Sequence, residues 1–198
     1  MLSVSGLKRP GLEPITFTVN AGECLTISGL SGSGKSLLLR SLADLDPNEG
    51  DIKLDGRARE TFLGPEWREQ VMFFAAEPGW WADHVGEHFA DFSQALPYLN
   101  RLGLPEECRD WSISRTSTGE RQRLALVRGL IKKPKVLLLD EPTSALDAEL
   151  TAKVETLVDE QRNEGATVIW VTHDTRQADK MGSRRFTVVS GVFSEVTE

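Results

Sequence analysis

Residues Gly29-Leu30-Ser31-Gly32-Ser33-Gly34-Lys35-Ser36 have the composition of a loop that cradles phosphate. Glycines let backbone N–H groups turn inward and approach an anion closely. Lys35 would bring a point charge to terminal phosphates, and the Ser36 hydroxyl can ligate Mg²⁺. The same Lys-Ser pair opens a helix, whose positive end would face the anion. A turn that merely links strand to helix would not need eight matched positions after the apolar run Cys24-Leu25-Thr26-Ile27. The chemistry predicted is binding of a nucleoside triphosphate with Mg²⁺.

Four further groups bear on what is done with that ligand. Asp140-Glu141 follows the apolar run Val136–Leu139, 105 positions after Lys35. Asp140 is placed to hold Mg²⁺ through water, because Mg²⁺ keeps part of its hydration shell. Glu141 is placed to accept a proton from an attacking water. An acidic turn explains one carboxylate and explains an adjacent pair poorly. Ser117-Thr118-Gly119-Glu120 reads as a capping box at a helix start, and such a start also offers N–H groups to an anion. Ser144-Ala145-Leu146-Asp147 comes just after the carboxylate pair. His173, within Thr172-His173-Asp174, lies 33 positions after Asp140 at the end of another apolar run, which suits a ligand crevice.

These groups need strands and helices to position them. Ile15, Phe17 and Val19 alternate with Thr16 and Thr18, so the first 28 residues read as β-structure. Leu37–Leu39 and Leu42 predict a helix that stops near Pro47. Asp51–Gly56 reads as a short strand and turn, and Val71–Phe74 as a third core strand. From Trp80 to Trp111 the chain reads as helical, broken at Pro97 and Pro105. A helix is expected from Glu120 to Lys133, and another over 148–163. Val136–Leu139 and Thr167–Val171 are wholly apolar, as buried parallel strands are. Phe186–Val189 and Val192–Val196 flank Ser190-Gly191 as a hairpin. The expectation is an α/β fold with a mostly parallel sheet.

With these motifs in order, the chain resembles the nucleotide-binding ATPase subunit of the ATP-binding cassette (ABC) family over nearly its whole length. It has the phosphate loop 29–36, a signature at 116–120, Asp140-Glu141, the Ser144-to-Asp147 loop and a switch histidine, His173. Trp170-Val171-Thr172-His173-Asp174 is similar to the iron-export-like type. The resemblance implies a P-loop NTPase core with an N-terminal antiparallel β part and a small helical subdomain. It would form one domain over 1–198, with core at about 1–76 and 117–198 and helical part at about 77–116. It implies a homodimer that sandwiches two ATP molecules, with Ser117 and Gly119 of one subunit reaching the γ-phosphate held by the other. Ser117, Thr118, Gly119 and Asp147 would lie between subunits. Glu141, His173 and Lys35 would be catalytic, and Ser36 and Asp140 would serve Mg²⁺. The partner implied is a transmembrane permease, and the location is the cytoplasmic face of the membrane.

The chain departs from the family pattern in three places. Ala76 stands where a glutamine usually follows the third core strand, with Glu77 beside it as a candidate substitute. The signature reads Thr116-Ser117-Thr118-Gly119 rather than Leu-Ser-Gly-Gly. Residues 2–10 hold no aromatic side chain to stack on adenine, which leaves Arg9 as a planar candidate. Trp80 and Trp81 suit either a docking groove for the membrane partner or the core of the helical part.

Bulk properties narrow the partners. A formal charge of −7, from 30 acids and 23 bases, weighs against a broad nucleic-acid face. The longest apolar run, Val71–Ala76, falls far short of the roughly 20 residues that span a bilayer. No basic start followed by an apolar stretch marks a secretion signal. Cys24 and Cys108 form no CxxC pair, and free thiols fit a reducing cytoplasm. The alternatives are a soluble ABC-type ATPase acting on nucleic acid or ribosomes, and a P-loop kinase. The first lacks a tandem cassette or coiled-coil arm here, and the second has no use for the signature or His173.

Overall fold

The computed structural model of the chain describes residues 1–196. Two sheets are stacked, and helices cover the outer face of the larger. Strands β1 (Leu2–Arg9) and β2 (Leu12–Val19) form a hairpin in a four-stranded antiparallel sheet. Its other strands are β4 (Glu49–Leu54) and β5 (Arg57–Ala58), in the order β2-β1-β4-β5. The second sheet holds β3 (Cys24–Gly29), β6 (Val71–Phe74), β7 (Val136–Asp140), β8 (Thr167–Val171), β9 (Arg184–Val189) and β10 (Val192–Glu195). Its order is β10-β9-β3-β8-β7-β6, and every pairing is parallel except the edge hairpin β9–β10.

The apolar runs of the central strands are continuous because both faces are covered. Leu25, Ile27, Val136, Leu138, Ile169 and Val171 point into a core shared with the antiparallel sheet and helix α1 (Lys35–Leu42). Their neighbours Cys24, Leu137, Leu139, Val168 and Trp170 point the other way. There they meet α4 (Thr118–Leu130) and α5 (Ala148–Asn163). Successive strand residues alternate between faces, so one run fills two cores. Helix α2 (Gly64–Gln70) closes the first core, where buried Trp67 donates from Nε1 to the Leu42 carbonyl at 2.9 Å.

Three expected boundaries shift. Helix α1 ends at Leu42, and the chain to Pro47 is a turn with Asp44 at φ 55°. Helix α4 begins at Thr118, two residues before the expected start, because Ser117 caps it. The segment 80–111 is mostly single 3₁₀ turns around α3 (Leu96–Arg101). Pro97 lies in the first turn of α3 and so starts that helix rather than breaking it, since a proline there loses no hydrogen bond. Val85, Phe89, Leu99, Leu102 and Cys108 of this segment join the core of α4 and α5. The last helix, α6 (Thr175–Met181), is capped by Asp174, whose side chain accepts from the Arg176 and Gln177 N–H groups.

One ion cluster fastens β1 to the turn after α1. Asp46 accepts from Arg9 at 2.6 Å and from Arg40 at 2.7 Å through both of its oxygens. The hydrogen bonds from Arg40, then those from Arg9, hold its carboxyl well below the ordinary 3.8. A depressed native value stabilises the fold fully above the unfolded value and loses that contribution as pH falls toward the native one. Asp46→Asn is therefore expected to lower the urea midpoint at pH 7. The gap to the parent protein should begin to narrow as pH falls below 3.8 and shrink further with each step toward the depressed native value.

Candidate functional site

Strands β3, β8 and β7 are neighbours and run in parallel, so their carboxyl ends open onto one crevice. The phosphate loop leaves β3, His173 follows β8, and Asp140-Glu141 ends β7. Close packing forces the loop's composition. A Cβ at Gly29, where φ is +153°, would come 2.5 Å from the Val188 carbonyl oxygen. One at Gly34, where φ is +110°, would come 2.9 Å from Leu12 Cδ2. Lys35 is buried and donates to the carbonyls of Gly29 at 2.8 Å and Leu30 at 2.9 Å, so its ammonium lies across the loop. Among the described residues the buried Ser33 hydroxyl has no partner, which an entering phosphate oxygen would supply.

Asp140 is buried at the end of β7. Burial pushes its carboxyl above the ordinary value, opposed by a hydrogen bond with Ser36, while the charge of Glu141 raises it and that of Lys35 lowers it. A divalent cation at this point would favour the ionised form. No cluster of three or more His, Cys, Asp or Glu able to hold a metal exists among the described residues. A hydroxyl and one carboxylate fit Mg²⁺, which takes its remaining ligands from phosphates and water.

Glu141 has φ +48°, a left-handed conformation that costs of order 1–3 kcal/mol in a non-glycine residue. Its amide is anchored by donation to the Val171 carbonyl at 3.0 Å. The turn takes Glu141 out of the line of β7, and its Oε2 lies 3.3 Å from His173 Nδ1. His173 is 69% exposed on its side chain, open to a ligand. Glu141 and His173 also border a cleft of about 400 Å³ with Ser144, Leu146 and Thr151.

The signature residues occupy capping geometry. The Ser117 Oγ accepts from the Glu120 N–H at 3.2 Å, while Glu120 Oε2 accepts from the Ser117 N–H at 2.7 Å. Thr118 is the first residue of α4 and is exposed. A Cβ at Gly119 would come 2.8 Å from the Ala145 carbonyl oxygen, so the helix start is packed against the 144–147 loop. Asp147 caps α5 by accepting from the Leu150 N–H at 2.8 Å. Among the described residues no hydrogen bond joins 117–119 or Asp147 to the phosphate loop, Asp140 or His173. Within one chain the structure gathers 29–36, Asp140, Glu141 and His173, and leaves the other set outside that crevice.

Little of Arg9 is open as a stacking surface. Its guanidinium is bonded to Asp46 and its side chain is only 17% exposed. The tryptophan pair divides between two surroundings. Trp80 packs on the second core, whereas Trp81 is 70% exposed and borders a groove of about 480 Å³. Arg128 lies 4.6 Å from the Trp80 ring centre and 4.7 Å from that of Trp81. Glu77 is exposed. Beside it, the Ala76 carbonyl accepts from Gln122 Nε2 at 3.2 Å.

Gln122 and Gln177 were not singled out from the sequence. Gln177 accepts from Trp170 Nε1 at 3.2 Å and donates to Glu155 at 2.8 Å and Thr143 at 3.0 Å. A readable signal existed for Gln122. It shares a helical stripe with Leu126 and Gly129, and a polar residue on a buried stripe needs polar partners.

The loop geometry yields a direct test. Gly29→Ala is expected to abolish nucleotide binding by fluorescence titration while the far-ultraviolet circular dichroism stays that of the parent. Binding within twofold of the parent would show that the loop can tolerate a side chain there.

The ABC transporter family model matches residues 12–144. The chain is 36% identical over 185 residues to the "Probable iron export ATP-binding protein FetA" of Escherichia coli (strain K12), covering 86% of this chain and 82% of that one. It is 33% identical over 210 residues to the "Phosphonates import ATP-binding protein PhnC" of Trichormus variabilis, covering 95% and 86%. In fold it is similar to a solved "ATP binding subunit of ABC transporter", with a TM-score of 0.87 at 23% identity over 99% of this chain and 90% of that one. It is also similar to the ATP-binding cassette MJ0796 in a dimeric post-hydrolysis state bound to ADP and Pi, at 0.84 and 23% over the full length of both. These relatives give nothing to the nucleic-acid reading. With the phosphate loop, the carboxylate pair and the histidine at adjoining strand ends, the chain belongs to the ABC transporter family as one of its ATP-binding subunits.

Proposed function

We propose that the chain hydrolyses ATP with Mg²⁺ and, as a homodimer that closes on nucleotide, drives a membrane permease from its cytoplasmic face. The observation that carries this is Glu141 held 3.3 Å from His173 at strand ends flanking the phosphate loop. Backbone N–H groups of 29–36 and Lys35 would hold the phosphates, and Ser36 and water-linked Asp140 would hold Mg²⁺, which would neutralise phosphate charge there. Glu141 takes a proton from water as its oxygen attacks the γ-phosphorus and the bond to ADP breaks. His173 orients Glu141 and the γ-phosphate.

Ser117, Thr118 and Gly119 of the opposite subunit complete each site, and Asp147 lies at the same interface. Their caps leave N–H groups at the start of α4 for a phosphate oxygen. Closure is linked to binding because ATP touches both halves only in the closed form. The single cassette divides into a core of about 1–76 and 117–198 and a smaller part, about 77–116, and the docking groove lies where 78–90 meets β6 and α4. Among the described residues two polar atoms of residues lining that groove, His88 Nδ1 and Arg128 Nη1, are buried without partners, as suits a surface completed by another protein. No helix among the described residues is long and apolar enough to cross a membrane.

Glu141→Gln is expected to bind ATP and to lose about 10²–10⁴-fold in turnover, the usual contribution of a general base. In ATP and Mg²⁺ it should retain a multi-spanning membrane protein from detergent-solubilised membranes. Full turnover in this variant would remove Glu141 as the base, and recovery of nucleic-acid-bound partners alone would remove the permease. Base selectivity is tested separately. With no aromatic residue in 2–10 and Arg9 held by Asp46, GTP should be hydrolysed at a rate comparable with ATP, and strict ATP preference would refute this.

A further inference from the structure

Gln122 sits one turn into α4 and is 7% exposed, yet all of its amide contacts reach other loops. Nε2 donates to the Ala76 carbonyl at 3.2 Å and to Ser144 Oγ at 3.1 Å. Oε1 accepts from the Ala145 N–H at 3.4 Å. A carbonyl can only accept and an amide N–H can only donate, so these two partners fix which way the side-chain amide faces. The two loops have different neighbours. Ala75, Pro78 and Gly79 border the groove beside Trp81. Ser144 borders the cleft of Glu141 and His173, and its N–H donates to the Glu141 carbonyl at 3.2 Å.

We propose that Gln122 is a positioning residue that couples the groove loop 75–79 to the Glu141 backbone through Ser144 and Ala145. This rests on the reading of the groove as the permease contact and of Glu141 as the base. Alanine at position 76 has no side chain that could reach the catalytic pair, so a shift of this loop is passed on through its carbonyl. Movement of Ala76 pulls on Gln122, and Gln122 pulls on Ser144 and Ala145. Gly119, packed against the Ala145 carbonyl, carries the signature end of α4 along with them. Methionine at 122 would match the length of glutamine and fill the same space. It would leave the Ala76 carbonyl and the Ala145 N–H without this partner, which separates coupling from packing.

The test compares ATP turnover and amide hydrogen exchange in the parent, Gln122→Met, Ser144→Ala and the double variant. In Gln122→Met, kcat is expected to fall about tenfold with KM for ATP within twofold and the thermal midpoint near the parent's. Ser144→Ala should fall less, and the double variant should be no worse than Gln122→Met, because both cut one chain of contacts. ATP binding should slow exchange at 75–79 in the parent and slow it less in Ser144→Ala. Parent kcat in Gln122→Met, losses that multiply in the double variant, or exchange at 75–79 that ignores ATP in the parent would each overturn the proposal. If Gln122→Met does not fold, the exchange comparison of Ser144→Ala with the parent decides alone. A parent that binds ATP without hydrolysing it would instead overturn the ATPase reading, and the exchange comparison would still judge the coupling.

Discussion

The turn that follows β3 is the constraint on which the site rests. Strand β3 lies between β8 and β9, and the chain must leave it beneath the Val188 carbonyl. A Cβ at Gly29 would come 2.5 Å from that oxygen, so only a residue without one fits. The tight exit puts consecutive N–H groups at the start of α1 and lays the Lys35 ammonium across the loop. An arrangement that concentrates positive potential in a desolvated place is uncomfortable until an anion arrives, and that discomfort is the source of phosphate affinity.

Parallel register then delivers everything else to the same edge. Asp140 pairs with Val171 across β7 and β8, so the residues just beyond these strands emerge side by side. Desolvation works against a charged Asp140, and strain works against the backbone of Glu141. Both are tolerated because the strands beneath are buried on two faces by separate cores. A rigid double-faced sheet is what lets a strained and poorly solvated pair persist at its rim.

The residues around α4 show how ordinary structural roles and function share the same atoms. Ser117 and Glu120 satisfy each other as a capping box, Asp147 caps α5, and Gly119 allows two segments to touch. None of these needs a ligand to explain it. The N–H groups at a capped helix start still face outward, and a second subunit can exploit them without disturbing the fold.

The order of motifs, the apolar strands and the class of nucleotide chemistry were legible in the sequence, because glycine spacing, carboxylates after an apolar run and period-two patterns are local properties. Boundaries set by local caps were misjudged by a turn or less, as at Thr118. What only the tertiary structure decided were contacts between distant segments. Arg9 is exposed by pattern but is held by Asp46 across the fold. Trp80 and Trp81 are adjacent and chemically identical, yet one packs on the core and the other borders the groove. The Ala76 carbonyl meets Gln122, 46 residues away. Side-chain type states what a residue can bond, and the fold alone decides which partner comes within reach.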